Sequence, residues 1–201
     1  MKEIVILGID PGTAQTGYGI IRCSLNSRKP FRYKSPPNTK NTKKEALRLK
    51  QLRMRKSIEH CLASSCISLL EFGSLKTSPD QDSPARLNSI FEQVSLLIAK
   101  HQPVYLAVES LFFNTNAVSA SAVGQAIGVV KLSAARNNLK VFEYPPLKIK
   151  MKLIGEGRAE KKQVQQQVKT ILKTAVVPRP NHAADALAVA LCHWLETSAV
   201  C

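Results

Sequence analysis

The chain has 201 residues, 44% of them hydrophobic, which is typical of a single globular domain spanning 1–201. Lys and Arg number 29 against 14 Asp and Glu, a formal net charge of +15, so a polyanion is the expected partner, with nucleic acid ahead of an anionic membrane. The sequence contains neither a long apolar run nor a secretory signal pattern, so we expect no membrane span and a cytoplasmic protein. Its five cysteines lack a CxxC pair, which argues against a disulfide framework and a structural zinc site.

The N-terminal residues predict a β-hairpin. Residues 3–9 are apolar and rich in β-branched side chains, and they end at Asp10-Pro11-Gly12, a sequence typical of turns. Residues 17–23 have strand character again after a short connection. We therefore expect a buried central strand paired with its successor.

A strongly basic segment follows, from 24 to 66, with twelve Lys or Arg against two Glu. Its first half contains three prolines and no periodicity, which indicates a solvated loop. From 44 to 62, Leu47, Met54, Ile58, Cys61 and Leu62 fall roughly on one helical face, so a basic amphipathic helix is predicted there.

The rest of the chain alternates between helices and strands. We predict strands at 67–77, with Gly73 as a β-bulge, at 104–108 and at 141–144. Helices are predicted from an N-cap at Ser83 to about His101, and at 119–137, 147–153, 159–173 and 181–197. Three strands followed by this alternation predict an α/β domain with a mixed sheet.

Three acidic residues form a candidate metal site. Asp10 and Glu109 each end an apolar strand, and His182 and Asp185 stand three apart on the helix that begins NHAADALAVALCH. Taken singly, each is explained as simply by a cap or an ion pair. Together the carboxylates suit two Mg²⁺ ions that activate water against a phosphodiester, with Mn²⁺ expected to be able to replace Mg²⁺.

Six stretches of the chain resemble, in order and spacing, those of the RuvC family of bacterial Holliday-junction resolvases. The resemblance covers 1–23 and 67–193, and the stretches are ILGIDPGTAQTGYGIIR, AVESLFFNTNA, GQAIGVV, VFEYPP, IGEGRAEKKQVQ and HAADALAVALCH. It implies an RNase H-like fold with a mixed five-stranded sheet flanked by helices, a homodimer, and paired nicks across a four-way DNA junction. A branch-migration motor complex is a further possible partner.

The resemblance also implies roles for individual residues. Asp10, Glu109 and Asp185 match the family's metal-binding carboxylates, and His182 stands where family members have Asp or His, either as a metal ligand or in proton transfer. Further matches concern DNA binding. Phe112 matches a Phe that stacks on bases at the junction, and Phe113 lies beside it in the sequence. The alternative for these two rings is a hydrophobic plug under a loop. Lys150 and Lys161 match lysines near the scissile phosphate.

Residues 24–66 have no counterpart in the family pattern. The segment is predicted to be either an additional DNA-binding arm or a tolerated surface insertion. Two rival functions remain. A junction-binding homologue that has lost catalysis is one, although all three carboxylates are present. The other starts from GIDPGTAQTGYG, which also resembles the phosphate loop of actin-like sugar kinases and chaperone ATPases, but those proteins need a second such domain.

Overall fold

The computed structural model describes residues 2–25, 43–64, 66–111 and 117–198. Within these ranges the chain forms five strands and six helices. In chain order they are β1 (Lys2–Asp10), β2 (Gln15–Leu25), α1 (Lys43–Ser64), β3 (Ile67–Lys76), α2 (Ser83–His101), β4 (Tyr105–Glu109), α3 (Ala117–Arg136), β5 (Lys140–Tyr144), α4 (Pro146–Ile154), α5 (Lys161–Leu172) and α6 (Asn181–Ser198). No helix of the described ranges is long and apolar enough to cross a membrane.

The five strands form one mixed sheet in the order β3-β2-β1-β4-β5. β1 pairs antiparallel with β2, which pairs antiparallel with β3, whereas β1, β4 and β5 run parallel. The predicted hairpin and central strand are therefore present. In the register of β1 and β4, Ile9 lies opposite Val108, so the next residues, Asp10 and Glu109, end adjacent strands side by side.

Successive side chains of a strand point to opposite faces of the sheet, and each face carries its own core. Ile4 and Ile6 of β1 belong to the core shared with α1, α4, α5 and α6. Leu7 and Ile9 belong to the core under α2 and α3. By the same alternation Asp10 faces the α6 side, as does Glu109, which is two residues beyond Ala107 of that core.

The face of the sheet under α6 is lined by glycines where the helix crosses it. A methyl group on Gly17 of β2 would overlap the carbonyl oxygen of His182, and one on Gly8 of β1 would overlap that of Ala186. The side chains that α6 presents there are equally small, because Ala183, Ala186 and Ala190 are fully buried alanines. The main chain of α6 consequently lies almost directly on the sheet.

Two local expectations were wrong. The N-cap of α2 is Asp82, whose carboxylate accepts a hydrogen bond from the Ala85 N–H at 2.9 Å, so Ser83 is already inside the helix. The bulge in β3 falls at Leu70, where the register shifts, and Gly73 instead leaves room for the ring of Tyr18. A methyl group on Gly128 of α3 would meet nothing within 4 Å, so this glycine faces open space.

Helix α1 covers Lys43–Ser64, where the amphipathic pattern predicts a helix from 44 to 62. Its Ile58 and Cys61 are buried in the core beneath α6. Further along, the Gln51 amide donates to a carboxylate oxygen of Glu156 at 3.1 Å. Gly155, which ends α4 with φ +83°, approaches the helix so closely that a methyl group there would lie 3.0 Å from the Gln51 Cα. The second half of the basic segment is thus packed against the α4–α5 connection.

The glycine contact under α6 makes a testable prediction. Gly17→Ala forces the first turn of α6 away from β2, and we expect the free energy of unfolding to fall by about 1–3 kcal/mol. Gly128→Ala is the matched control: its methyl group enters open space on a helix, so we expect a gain of about 0.5–1 kcal/mol. Urea unfolding of both variants measures the difference. Equal stabilities for the two variants would contradict the close approach of α6.

Candidate active site

An open cleft of about 380 Å³ lies at the edge of the sheet where β1 and β4 end. The N-terminal turns of α4, α5 and α6 close its sides. Carboxylates, lysines and a histidine share the lining with a few apolar side chains. The lining residues are Asp10, Glu109, Pro146, Ile149, Lys150, Lys161, Val164, His182, Asp185 and Ala188.

The turn after β1 fixes the position of Asp10. The hydroxyl of the buried Thr16 donates to the carbonyl oxygen of Gly12 at 2.6 Å, and the Thr77 hydroxyl donates to the carbonyl oxygen of Thr13 at 2.7 Å. Asp10 is held at the strand end, and its side chain is only 17% exposed. Burial raises the pKa of Asp10, and a hydrogen bond from His182 partly opposes that rise.

Helix α6 brings two predicted residues to Asp10. The His182 Nδ1 lies 2.7 Å from an Asp10 carboxylate oxygen, a distance at which a ring N–H donates to the carboxylate. Asp185, one turn further along α6, forms an ion pair with the Lys161 ammonium at 2.5 Å. One ligand atom from each of Asp10, His182 and Asp185 lies within 4.8 Å of the others, a spacing at which they could share one metal ion.

Glu109 adds a third carboxylate to the same cleft. Its pKa is raised to about 7, first by burial and then by the negative charges of Asp10 and Asp185, against the opposing effect of Lys161 and Lys150. The cleft therefore concentrates acidic groups whose charges repel one another. Carboxylate oxygens with one imidazole are a donor set suited to a divalent cation that prefers oxygen ligands, so the residues present fit a metal site.

The structure brings six of the eight predicted site residues into one cleft. They are Asp10, Glu109, Lys150, Lys161, His182 and Asp185. Phe112 and Phe113 lie outside the described residues. Sequence reasoning missed the apolar lining, in which Ile149 and Val164 are largely buried. It also missed the pairing of Asp185 with a lysine 24 residues away, for which local sequence held no signal.

Comparison with known proteins identifies the family. The model described as crossover junction endodeoxyribonuclease RuvC matches residues 55–193, about two thirds of the chain, including Glu109, His182 and Asp185. A RuvC of Natranaerobius thermophilus is 43% identical over 190 residues, which cover 94% of each chain. The chain belongs to the RuvC family of crossover junction endodeoxyribonucleases. The resemblance seen in the sequence is therefore confirmed.

Solved structures agree on the fold. A structure of Thermus thermophilus RuvC superposes with a TM-score of 0.72 at 28% identity, covering 96% of this chain and 95% of that one. A structure of the same RuvC in complex with a Holliday junction substrate has a TM-score of 0.71 at 26% identity, with the same coverage. The predicted RNase H-like fold, with its mixed five-stranded sheet flanked by helices, is confirmed.

The raised pKa of Glu109 predicts how stability depends on pH when no metal is bound. A carboxyl group whose pKa is raised on folding from 4.5 to about 7 stabilises the fold below about pH 4.5 and loses that contribution as the pH rises through about 7. In a chelating buffer we expect the free energy of unfolding to fall across this range. Glu109→Gln should flatten the fall, as measured by urea unfolding between pH 4.5 and 8. An identical pH dependence of the free energy of unfolding in the wild type and in Glu109→Gln would contradict the raised pKa of Glu109.

Proposed function

We propose that this protein is a divalent-metal-dependent endonuclease that resolves four-way (Holliday) DNA junctions by paired phosphodiester hydrolysis in recombination and repair. One observation supports the proposal most strongly. In this RuvC-family chain, β1, β4 and α6 each place one carboxylate in the same open cleft, which Lys150 and Lys161 also line. The T. thermophilus RuvC was solved with a Holliday junction substrate, which supports the same substrate class for this chain.

We propose two Mg²⁺ ions as the cofactor, with Mn²⁺ able to replace them. Asp10, Glu109 and Asp185 would hold the ions, with His182 as a further ligand or as a proton carrier. When bound, the ions supply a more acidic attacking water and positive charge against the phosphate. The mutual repulsion of the three carboxylates supports this assignment, because a cation relieves it.

The protein's own residues orient the substrate and manage protons. His182 is 45% exposed and touches Asp10, so it can fix the rotamer of that carboxylate while exchanging protons with solvent. Lys161 and Lys150 provide positive charge for the phosphate. Ile149 and Val164 give the cleft an apolar wall that limits access of bulk water beside the reacting phosphate.

Symmetric cleavage of a junction requires two active sites, so we propose that the protein acts as a homodimer, whose two-fold axis matches that of the junction. Phe112 is proposed to stack on a base at the crossover, with Phe113 beside it, since base stacking is worth about 1–3 kcal/mol. We further propose that the protein acts in the cytoplasm and that a branch-migration motor complex is a partner.

The decisive variant is Asp10→Asn. We expect it to bind a synthetic four-way junction like the wild type but to cleave it at least about 10³-fold more slowly in Mg²⁺, because several kcal/mol of transition-state stabilisation depend on the metal site. Glu92→Gln, which removes an exposed charge from α2 on the far side of the sheet, is the control and should cleave normally.

Two outcomes would contradict this proposal. A loss of junction binding in Asp10→Asn, with the protein still folded, would make Asp10 a structural residue. A wild type that binds the junction but does not cleave it in Mg²⁺ or Mn²⁺ would instead support the alternative of a catalytically silent homologue.

Lys161 could either bind the phosphate of the substrate or neutralise Asp185. The dependence of kcat/KM on Mg²⁺ concentration distinguishes these two roles. If the ammonium binds the phosphate, Lys161→Ala lowers kcat/KM about 10²-fold at every Mg²⁺ concentration. We expect this result. If Lys161 only offsets the Asp185 charge, saturating Mg²⁺ restores activity to that of the wild type. Lys140→Ala, at the end of the parallel strands opposite the cleft, is the control for loss of one positive charge.

A further inference from the structure

A second concavity lies beside the active cleft, along the flank of α5. It is a groove of about 490 Å³ between α1, the C-terminal end of α4, and α5. We name it the α1–α5 groove. The polar side chains that line it are Gln51, Arg55, Lys162, Gln163, Gln166 and Gln167.

The groove adjoins the cleft along two helices. On α5, Lys161 and Val164 line the cleft, whereas Lys162 and Gln163 line the groove. On α4, Ile149 lines the cleft and Leu153, one turn later, lines the groove. A ligand that leaves the cleft along this side of α5 would therefore enter the groove.

The wall formed by α1 is fixed in place. Ile58 and Cys61 anchor the helix in the core, and Gln51 is bonded to Glu156 at the end of α4. Gln51 and Arg55 stand four apart, so they project from adjacent turns on the same side of α1. This wall belongs to the basic segment 24–66, which the sequence predicts to be either a DNA-binding arm or a tolerated insertion.

The chemistry of the groove is that of a phosphate-binding surface. Of its described lining residues two are cationic, four are glutamines, and none is acidic. Arg55 and Lys162 are both exposed. Gln163 accepts a hydrogen bond from the Glu160 main-chain N–H through its oxygen, which leaves its amide N–H groups as donors. Cations and amide donors bind phosphate oxygens without reading base sequence.

We propose that the α1–α5 groove binds the sugar–phosphate backbone of a junction arm that extends from the active cleft, so that α1 serves as an additional DNA-binding arm. The proposal rests on the function proposed above for the neighbouring cleft. The exposed cations Arg48, Lys50 and Lys56 on the same helix extend the positive surface beyond the groove. An arm of this kind adds affinity without changing the chemistry at the metal site.

The test is the double variant Arg55→Ala/Lys162→Ala. Junction binding is measured by fluorescence anisotropy in EDTA at 50–200 mM salt, and cleavage at saturating junction in Mg²⁺. If both cations contact phosphates, the slope of log K on log salt becomes shallower by about 1.8, and affinity near 0.1 M salt falls roughly 10- to 100-fold. The cleavage rate at saturation should stay at that of the wild type.

Two further variants control for net charge. Arg136→Ala/Lys140→Ala also removes one Arg and one Lys, at the end of α3 and the start of β5, where the parallel strands begin and the cleft is at their other end. It should leave the slope unchanged. Arg55→Lys/Lys162→Arg keeps both charges and should retain the wild-type slope. Thermal unfolding verifies that each variant is folded.

The results separate this inference from the proposed function. If the wild type cleaves junctions and the groove variant keeps its salt slope, the groove does not bind DNA, and the arm is a tolerated insertion or a site for another partner. Equal losses of junction affinity in Arg55→Ala/Lys162→Ala and in Arg136→Ala/Lys140→Ala would also overturn the inference. A wild type that neither binds nor cleaves junctions would refute the proposed function itself.

Discussion

Contact between the main chain of α6 and the glycines of β1 and β2 is the constraint on which the active cleft depends. Any side chain at Gly8 or Gly17 would lift α6 off the sheet. Since His182 and Asp185 are in the first turns of this helix, such a shift would separate them from Asp10. The buried alanines of α6 complete the contact from the other side.

The carboxylates of the cleft carry an electrostatic cost that a bound cation would relieve. Burial of Asp10 and Glu109 and their proximity to Asp185 disfavour ionisation, which raises the pKa of both buried groups. Lys161 and His182 offset part of this electrostatic cost. Under the proposed function, Lys161 and Lys150 would also supply positive charge to a bound phosphodiester.

Much of the fold and site follows from local sequence. Strand alternation and helical periodicity locate the elements, and strand ends or helical spacing locate Asp10, Glu109, His182 and Asp185. The contacts that the sequence did not predict depend on tertiary structure. The Lys161–Asp185 pair joins two helices, and the role of Gly17 is visible only once α6 is known to cross β2. The apolar stripe of α1 predicted a packed face without indicating that it meets the α4–α5 connection.

We propose that β1, β4 and α6 assemble one divalent-metal site at Asp10. Its most direct test is a crystal of the wild-type protein soaked in Mn²⁺, with anomalous difference density calculated at the manganese absorption edge. We expect a strong peak within coordination distance of the Asp10 carboxylate, with ligands from Asp185 or His182 of α6 and from Glu109 of β4. A crystal that binds manganese elsewhere and leaves Asp10 without a peak would contradict it.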